Sequence, residues 1–399
     1  MTFTPYSTNV YVCMPRKIAP VQISILDIID GNIKDEKDFP AEYDKSYTVT
    51  RKLDIESHAM YKNNMHKAIR VLERLLEKYD HLFHVDPQTL YRHFQIPKKS
   101  GGWRQIDAPN YELAAYHADL VKFFKEELTV DKFRNRYALH HTSAYAYVKN
   151  RCTKDALIRH QYNNSRWYAK TDFSNFFGST TLEFVMQQLS MIYPISTLMK
   201  DEDGRKAMQK ALSLCFLNGG LPQGTKMSPM LTNLIMIPID HALANEFHKL
   251  DNHGNRYVYT RYADDILLSA KHDFPLQEKV DVINKVLKEF NAPYVVKPEK
   301  LRYGSTAGRN WNLGLMINKD NEITVGAENI NQMKATIHNF IMDHLNDKPW
   351  DRLSVQQFQG RLEYYRFIQK DRMDSIIEKY NTKYNVDLIP MIRMVLKNC

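Results

Sequence analysis

The chain has 399 residues, 43% of them hydrophobic and 25% charged, which is typical of a globular protein and argues against intrinsic disorder. Its 55 lysines and arginines exceed its 46 aspartates and glutamates, and the net charge of +9 fits either a polyanionic partner or simply a basic enzyme. The four cysteines are scattered without a C-x-x-C pair, so neither a zinc site nor a disulfide framework is indicated. We see no signal peptide and no apolar run of roughly 18 residues that could span a membrane, and we therefore expect a cytoplasmic protein.

The predicted elements alternate between helices and short strands along the chain. Residues 1–50 contain short β-prone pieces to which we assign no role, and apolar residues at helical spacing predict a helix over 54–79. A basic segment at 96–110 predicts a β-hairpin, because Gly101 and Gly102 mark a tight turn between two extended pieces. Further helices are predicted over 111–128, 153–162, 181–192 and 277–290, and over most of the segment from 327 to the end.

Local turn signals connect these elements. Thr180 and Glu183 fit a capping box that opens the helix over 181–192. Residues 166–177 are typical of a strand that breaks at a turn, and residues 221–243 of a turn that leads into a helix. Because no low-complexity linker separates the elements, we expect interleaved lobes in one compact body.

Two adjacent aspartates, Asp264 and Asp265, lie within YTRYADDILLSA, a run that is otherwise typical of buried strands. Since side chains alternate across a sheet, we expect a hairpin whose tip at Ala263 and Asp264 lets one or both carboxylates project into a cleft. Like charges this close are unfavourable without a cation, and hard carboxylate oxygens suit Mg²⁺. Asp172, at the end of another predicted strand in KTDFSNFF, is the candidate for a further carboxylate. Three such carboxylates suit phosphoryl transfer by two metal ions.

The YADD sequence, flanked by apolar residues, resembles the catalytic hairpin of reverse transcriptases. Four more blocks occur in the matching order over residues 96–318: IPKKSGGWRQIDAP, KTDFSNFF, LPQGTKMSPMLTN and WNLGLMIN. The chain is thus similar to bacterial reverse transcriptases of retrons, group II introns and phage-defence systems. The resemblance implies an α+β fold, a right-hand polymerase with fingers, an antiparallel palm sheet packed with helices, and a helical thumb. It implies an N-terminal extension at 1–95, fingers at 96–165, palm at 166–320 and thumb at 321–399.

The resemblance also implies an RNA-directed DNA polymerase that uses two Mg²⁺ ions, for which Mn²⁺ can substitute. The main metal ligands would be Asp172 and Asp264, with Asp265 in a weaker or indirect role. The backbone carbonyl of Phe173 would add an oxygen ligand. Lys300 aligns with the lysine thought to protonate the pyrophosphate leaving group.

Other implied roles concern the nucleotide and the primer. Phe177 is similar to a steric gate, whose ring leaves no room for a 2′-hydroxyl and so selects deoxynucleotides. Leu313 and Gly314 fit the turn that grips the primer backbone. The basic hairpin and the LPQG block would supply the remaining nucleotide contacts, from Lys98, Lys99, Arg104, Gln223 and Gly224.

The chain departs from the retron pattern in two segments. Asp155, Ala156 and His160 stand where retron enzymes carry Asn-Ala-x-x-His, with one extra residue before the histidine. Residues 311–314, with the sequence WNLG, replace a Val-Thr-Gly triplet. These departures favour a stand-alone enzyme of the defence-associated or abortive-infection kind, with a retron enzyme as an alternative.

The implied partners are an RNA template, in the form of a dedicated noncoding RNA, together with dNTPs and a DNA product. No membrane is involved, and a protein partner or an oligomer stays open. Antiphage defence is the predicted setting. Three other functions stay open at this point: an RNA-dependent RNA polymerase, a template-independent or protein-primed DNA polymerase, and a catalytically silent RNA-binding scaffold. The gate-like Phe177 disfavours the first, and the three intact aspartates disfavour the last.

Overall fold

The computed structural model describes residues 51–98, 101–128, 139–251, 254, 256–296, 298–308, 310–348 and 350–398. The β-prone pieces of residues 1–50 lie outside this part, as does Lys99. The strands are β1 (Tyr91–Pro97), β2 (Trp103–Pro109), β3 (Trp167–Asp172), β4 (Val258–Tyr262), β5 (Asp265–Ala270), β6 (Arg302–Ser305), β7 (Met316–Ile317) and β8 (Ile323–Thr324). The helices are α1 (Arg51–Lys78), α2 (Tyr111–Glu127), α3 (Thr153–Tyr162), α4 (Phe176–Ser179), α5 (Leu182–Leu189), α6 (Ile195–Lys200), α7 (Glu202–Ser213), α8 (Met227–His248), α9 (Leu276–Glu289), α10 (Ala327–Leu345), α11 (Arg352–Ile368), α12 (Lys370–Tyr384) and α13 (Leu388–Asn398).

The predicted helices are present, but the one predicted over 181–192 is shorter and has a different cap. The N-cap of α5 is Thr181, whose side chain accepts a hydrogen bond from the Phe184 N–H at 3.2 Å. The predicted cap at Thr180 is therefore wrong. Thr180 is fully buried, and its hydroxyl lies 2.9 Å from the hydroxyl of Tyr294, so it belongs to the core.

An antiparallel sheet with the strand order β4-β5-β3-β6 forms the centre of the molecule. Alternation along the strands gives the sheet two different faces. Ala169 and Ile266 project from one face into an apolar core that includes buried side chains of α8 and α9. Lys170, Asp172 and Asp265 project from the opposite face, which is left for polar chemistry.

The predicted basic hairpin is present and longer than expected. Strands β1 and β2 pair antiparallel along their whole lengths. Gly101 and Gly102 in the connecting turn have φ angles of 85° and 79°, which glycine adopts without the steric cost of a side chain. The expected boundary between residues 95 and 96 falls inside β1, so the hairpin as a unit begins at Tyr91.

Helix α1 packs into the main body, although the sequence pattern places it in an N-terminal extension. Leu72, Leu75 and Leu76 are buried in the same apolar core as side chains of α2, α7 and α8. This part of the expected extension therefore supports the fingers and the sheet directly.

The helices α10 to α13 form a second apolar core at the C-terminal end. Tyr168 of β3 and Leu267 of β5 belong to this core, so the helical thumb packs on the same face of the sheet as Lys170. Within the described part of the chain, none of the helices combines the length and the apolar character that crossing a membrane requires.

Candidate active site

Three carboxylates meet at one end of the central sheet. Asp172, the last residue of β3, pairs in register with Asp265, the first residue of β5. Ala263 and Asp264 form the turn between β4 and β5, as predicted. The carbonyl of Asp264 accepts a hydrogen bond from the N–H of Phe173 at 3.1 Å, which fixes the turn beside the end of β3.

A buried ion pair holds the turn at residues 263–264, which we call the catalytic turn after its predicted role, in an unusual conformation. Ala263 has a φ of 57°, a left-handed value that few non-glycine residues adopt. The guanidinium of Arg261 donates to the Ala263 carbonyl at 2.9 Å and forms an ion pair at 2.8 Å with Asp240 of α8. Both charged side chains are fully buried, which is tolerated because they are paired and hydrogen-bonded. Helix α8 thus helps to set the position of Asp264.

Two lysines lie against the carboxylates. Lys300 forms an ion pair with Asp172, and the Nζ of Lys170 lies 3.1 Å from Oδ1 of Asp265. The hydrogen bond to Asp172 is the main cause that raises the pKa of Lys300. Burial raises the pKa of Asp264, and the charges of Asp265 and Asp172 raise it further. A cation bound near Asp264 would relieve this unfavourable concentration of negative charge.

The oxygen donors of the site suit a hard divalent cation. Oδ1 of Asp172 is buried without a hydrogen-bond partner among the described residues, a costly arrangement unless a ligand takes up its lone pairs. Within the same residues, no three His, Cys, Asp or Glu side chains form a ready-made metal cage. Mg²⁺ often binds through one or two carboxylates and completes its shell with water and substrate phosphates. The oxygen donors of the site therefore fit a divalent metal ion.

A cavity of about 600 Å³ lies on the polar face of the sheet, and its walls include Asp172, Asp265 and Asn312. Asn312 begins a tight turn in which Leu313 and Gly314 have φ angles of 56° and 80°. A β-carbon at Gly314 would have no heavy atom within 4 Å, which leaves room for a ligand to approach the backbone. The predicted turn is thus present, and its first residue, Asn312, borders the same cavity as Asp172 and Asp265. Its grip on a primer stays a prediction.

Backbone hydrogen bonds join Phe177, the LPQG block and the basic hairpin. The Phe177 carbonyl accepts from the Leu221 N–H at 3.0 Å, and the Gln223 carbonyl accepts from the Asp107 N–H at 2.7 Å. Gly224 has a φ of 126°, and a β-carbon there would lie only 3.0 Å from the carbonyl oxygen of Asp107. Gly224 therefore permits close packing of the LPQG block against the hairpin, a use that the sequence pattern did not indicate.

Comparison with known proteins agrees with this geometry. The family model described as reverse transcriptase (RNA-dependent DNA polymerase) matches residues 96–334, which include all the predicted site residues. This chain belongs to the reverse transcriptase family. This match confirms two sequence-based predictions, the RNA-directed DNA polymerase class and the right-hand polymerase fold.

Similar relatives of this reverse transcriptase come from retrons. The retron Ec73 reverse transcriptase of Escherichia coli is 25% identical over 296 residues, which cover 73% of this chain and 86% of that protein. The retron Ec83 reverse transcriptase of the same organism is 23% identical over 331 residues, covering 81% and 96%. Among solved structures, apo telomerase from Candida tropicalis aligns with a TM-score of 0.41 at 10% identity, covering 77% of this chain and 62% of that one.

The fingers hairpin of this reverse transcriptase places one predicted cation toward the LPQG block. Arg104 is exposed and lies two residues before Ile106 on β2, so the two side chains share one face of the hairpin. A methyl carbon of Ile106 would lie 3.0 Å from a β-carbon at Gly224, which identifies that face as the one toward the site. Lys98 is exposed at the end of the hairpin, and Lys99 lies outside the described residues.

Phe177 lies at the edge of the apolar core of the reverse transcriptase. Its ring is half-buried and packs edge to face on Phe176, with a centroid distance of 5.7 Å. Phe176 is the buried member of the pair. The geometry is compatible with the gate position implied for Phe177.

Three supporting residues were missed or left without a role in the sequence analysis: Lys170, Asp240 and His160. The imidazole of His160 is fully buried, with its nitrogens 2.8 Å from Oγ1 of Thr260 and 2.6 Å from Oγ of Ser269. It thereby ties α3 to both strands of the catalytic hairpin. The sequence contained a signal for two of these residues. Asp240 is a lone aspartate in the apolar run LIMIPID, and Lys170 lies two residues before Asp172 on the same strand face.

Proposed function

We propose that this chain is a reverse transcriptase of the retron kind, which extends a primer with dNTPs on a dedicated noncoding RNA and uses two Mg²⁺ ions. The observation that carries the proposal is the paired register of Asp172 and Asp265, with Asp264 in the adjoining turn. Similarity to two retron enzymes of Escherichia coli favours this kind over an abortive-infection enzyme. The noncoding RNA and the role in antiphage defence are predictions that follow from this similarity.

The proposed metal ligands are Asp172, Asp264 and the carbonyl of Phe173. When bound, the two cations activate the primer hydroxyl and stabilise the charge of the leaving pyrophosphate. Asp265 faces Lys170, which fits an indirect role for this carboxylate. Mn²⁺ is the proposed substitute, because carboxylate and carbonyl oxygens suit both metals.

Basic side chains of the fingers and the palm are the proposed contacts of the triphosphate. Arg104 can grip phosphate oxygens with its planar fork, and Lys98 and Lys99 add positive charge at the end of the hairpin. Lys300 is the proposed donor of a proton to the leaving pyrophosphate. Its pKa is raised beside Asp172, so the ammonium carries its proton at neutral pH.

The remaining contacts position the sugar, the base and the primer. The half-buried ring of Phe177 is the proposed barrier to a 2′-hydroxyl, and Gln223 and Gly224 line the nucleotide pocket from the LPQG block. Leu313 and Gly314 are the proposed contacts of the primer backbone, in the turn that begins at Asn312 beside the cavity.

The test uses protein purified with the nucleic acid that it carries, supplied with Mg²⁺ and with labelled dNTPs or rNTPs, singly and mixed. A DNA product from the wild type, absent from the Asp264→Ala/Asp265→Ala variant, would support the proposal, and sequencing the product would identify the template. Thermal unfolding of the variant checks that it is folded. DNA made after the RNA is digested would favour a template-independent enzyme. No product from the wild type, despite bound RNA, would contradict the proposed function.

A further inference from the structure

The backbone conformation of Tyr147 is unusual in a way that it shares with two functional turns. Among the described residues, only three with positive φ are neither glycine, asparagine nor aspartate: Tyr147 at 58°, Ala263 at 57° and Leu313 at 56°. Ala263 lies in the catalytic turn, and Leu313 lies in the primer-grip turn. Strained backbone of this kind persists where its surroundings enforce it, and it concentrates at functional sites. Tyr147 is therefore the member of this group whose use is unexplained.

The segment before Tyr147 is clamped to the catalytic hairpin. The Tyr145 N–H donates to the carbonyl of Arg261 on β4 at 2.9 Å, and the side-chain amide of Asn233 on α8 donates to the Ala146 carbonyl at 2.8 Å. Residues 143–146 are all buried, whereas Tyr147 is 60% exposed. The ring thus contributes little to packing, although its backbone is held in place.

The other side of this loop is also fixed. The guanidinium of Arg151 donates to the carbonyls of Thr142 and Ala144, at 2.9 Å and 2.7 Å. The same group lies over the ring of Tyr145, 5.1 Å from its centroid. Because hydrogen bonds hold the loop on both sides of its tip, the backbone of Tyr147 at the tip is fixed in one conformation.

The loop that carries Tyr147 lies beside the catalytic turn. The carbonyl of Arg261 accepts from the Tyr145 N–H, and the guanidinium of the same residue donates to the Ala263 carbonyl. Desolvation within the cleft is the main cause that raises the pKa of Tyr147, the charges of Asp264 and Tyr262 raise it further, and Arg104 lowers it. The position of the loop, together with the charges of Asp264 and Arg104 that act on the ring, puts Tyr147 near the catalytic turn. A nucleotide held by Arg104 and by metals at Asp264 would pass beside this ring.

We infer that Tyr147 contacts the incoming nucleotide, with the face of its ring packed against the nucleobase at the insertion site. An exposed aromatic ring offers stacking to any base, because every base has a π-face. A rigid backbone allows this contact to form without ordering a mobile side-chain segment first. The inference rests on the polymerase reaction of the family and extends it to a residue outside the five sequence blocks that carry the resemblance.

The test measures single-dNTP incorporation by the full-length protein on a DNA primer annealed to an RNA template, with Mg²⁺. For Tyr147→Ala we expect the KM for the dNTP to rise roughly ten- to hundredfold, the loss typical of a base–aromatic stack. The Kd for the primer–template and the thermal midpoint should stay unchanged, since the exposed ring contributes little to packing. Tyr147→Phe should match the wild type, because it keeps the ring.

Two further variants separate contact from structure. Tyr147→Gly should show the same rise in KM but a higher thermal midpoint than Tyr147→Ala, because glycine relieves the positive φ. Tyr162→Ala removes a tyrosine that is 82% exposed at the end of α3 and should leave the kinetics unchanged. An unchanged KM in Tyr147→Ala, or a weaker primer–template Kd at unchanged KM, would overturn the inference. Failure of the wild type to extend the primer would instead contradict the proposed function.

Discussion

The ammonium group of Lys170 lies 3.1 Å from the carboxylate of Asp265, on the strand face that also carries Asp172. Lys300 occupies the corresponding position against Asp172. Two of the three catalytic carboxylates thus have a lysine partner, while burial and negative neighbours raise the pKa of Asp264. Mg²⁺ bound at these carboxylates, as proposed, would have to compete with the two ammonium groups.

Replacing Lys170 tests this competition. In Lys170→Met we expect the Mg²⁺ concentration for half-maximal incorporation to fall by up to about fivefold, because a partly exposed ion pair contributes about 0.2–1 kcal/mol. A Mg²⁺ titration of primer extension measures the change. Lys206→Met is the matched control, since it removes the pair of Lys206 with Glu202 on α7. A raised Mg²⁺ requirement in Lys170→Met would show that Lys170 assists metal binding instead.

The buried pair of Asp240 and Arg261 predicts a large and non-additive effect on stability. Asp240→Asn should lower the free energy of unfolding by about 3–5 kcal/mol, because it leaves the Arg261 cation buried without its counter-charge. The double variant Asp240→Leu/Arg261→Met should be less destabilised than the sum of the two single variants. Urea unfolding of the wild type, Asp240→Asn, Asp240→Leu, Arg261→Met and the double variant measures these losses. Additive losses would mean that the two charges are not coupled.

Replacing Gly224 by alanine should cause a steric clash whose effect can be separated from that of backbone strain. In Gly224→Ala the new β-carbon would meet the Asp107 carbonyl oxygen and a methyl carbon of Ile106, each at 3.0 Å, in addition to an unfavourable φ. We expect a loss of about 1–3 kcal/mol and a higher KM for dNTPs, because the hairpin is displaced from the LPQG block. Gly219→Ala provides the control, since its φ is 81° but its surroundings are open. Equal losses in the two variants would leave no role for the close packing.

Replacing Phe177 tests whether its ring makes the enzyme select deoxynucleotides over ribonucleotides. Phe177→Ala should raise the efficiency of rNTP incorporation relative to dNTP incorporation by at least about tenfold, because removing the ring opens space for the 2′-hydroxyl. The ratio of kcat/KM for the two nucleotides measures the effect. Phe176→Ala should instead lower stability without changing the ratio, since Phe176 is buried. An unchanged ratio in Phe177→Ala would place the barrier elsewhere.

The buried imidazole of His160 should make the free energy of unfolding depend on pH. Burial lowers its pKa from 6.5 to about 3, so the folded protein holds it neutral while the unfolded chain binds a proton near pH 6. Its contribution to stability is complete above about pH 6.5 and is lost as the pH falls, by about 1.4 kcal/mol per pH unit. Urea unfolding of the wild type and His160→Gln between about pH 7 and pH 5 should therefore show a shallower decline in the variant. Parallel declines would show that His160 is not the titrating group.

Much of the site follows from local sequence. The hairpin tip at Asp264, the glycine turn of the fingers and the strand that ends at Asp172 are each encoded within about ten residues, by alternation and by turn residues. The same local blocks carry the family resemblance, and therefore the class of reaction. The short-range error at Thr180 arose because Thr181 is equally able to cap, and the contact with Tyr294 that removes Thr180 from the helix end lies far along the chain.

The neighbours of these groups depend on packing between distant segments, which local patterns do not encode. Lys170 meets Asp265 only through the register of β3 and β5, and Gly224 meets Asp107 only because the LPQG block packs on the fingers. The exposed ring of Tyr147 is likewise understood only when its clamped loop and the catalytic turn are seen together. The amino-acid order thus carries the catalytic groups and their chemistry. Long-range packing assigns each group its counter-charge, its strain and its exposure, and so determines how the chemistry is controlled.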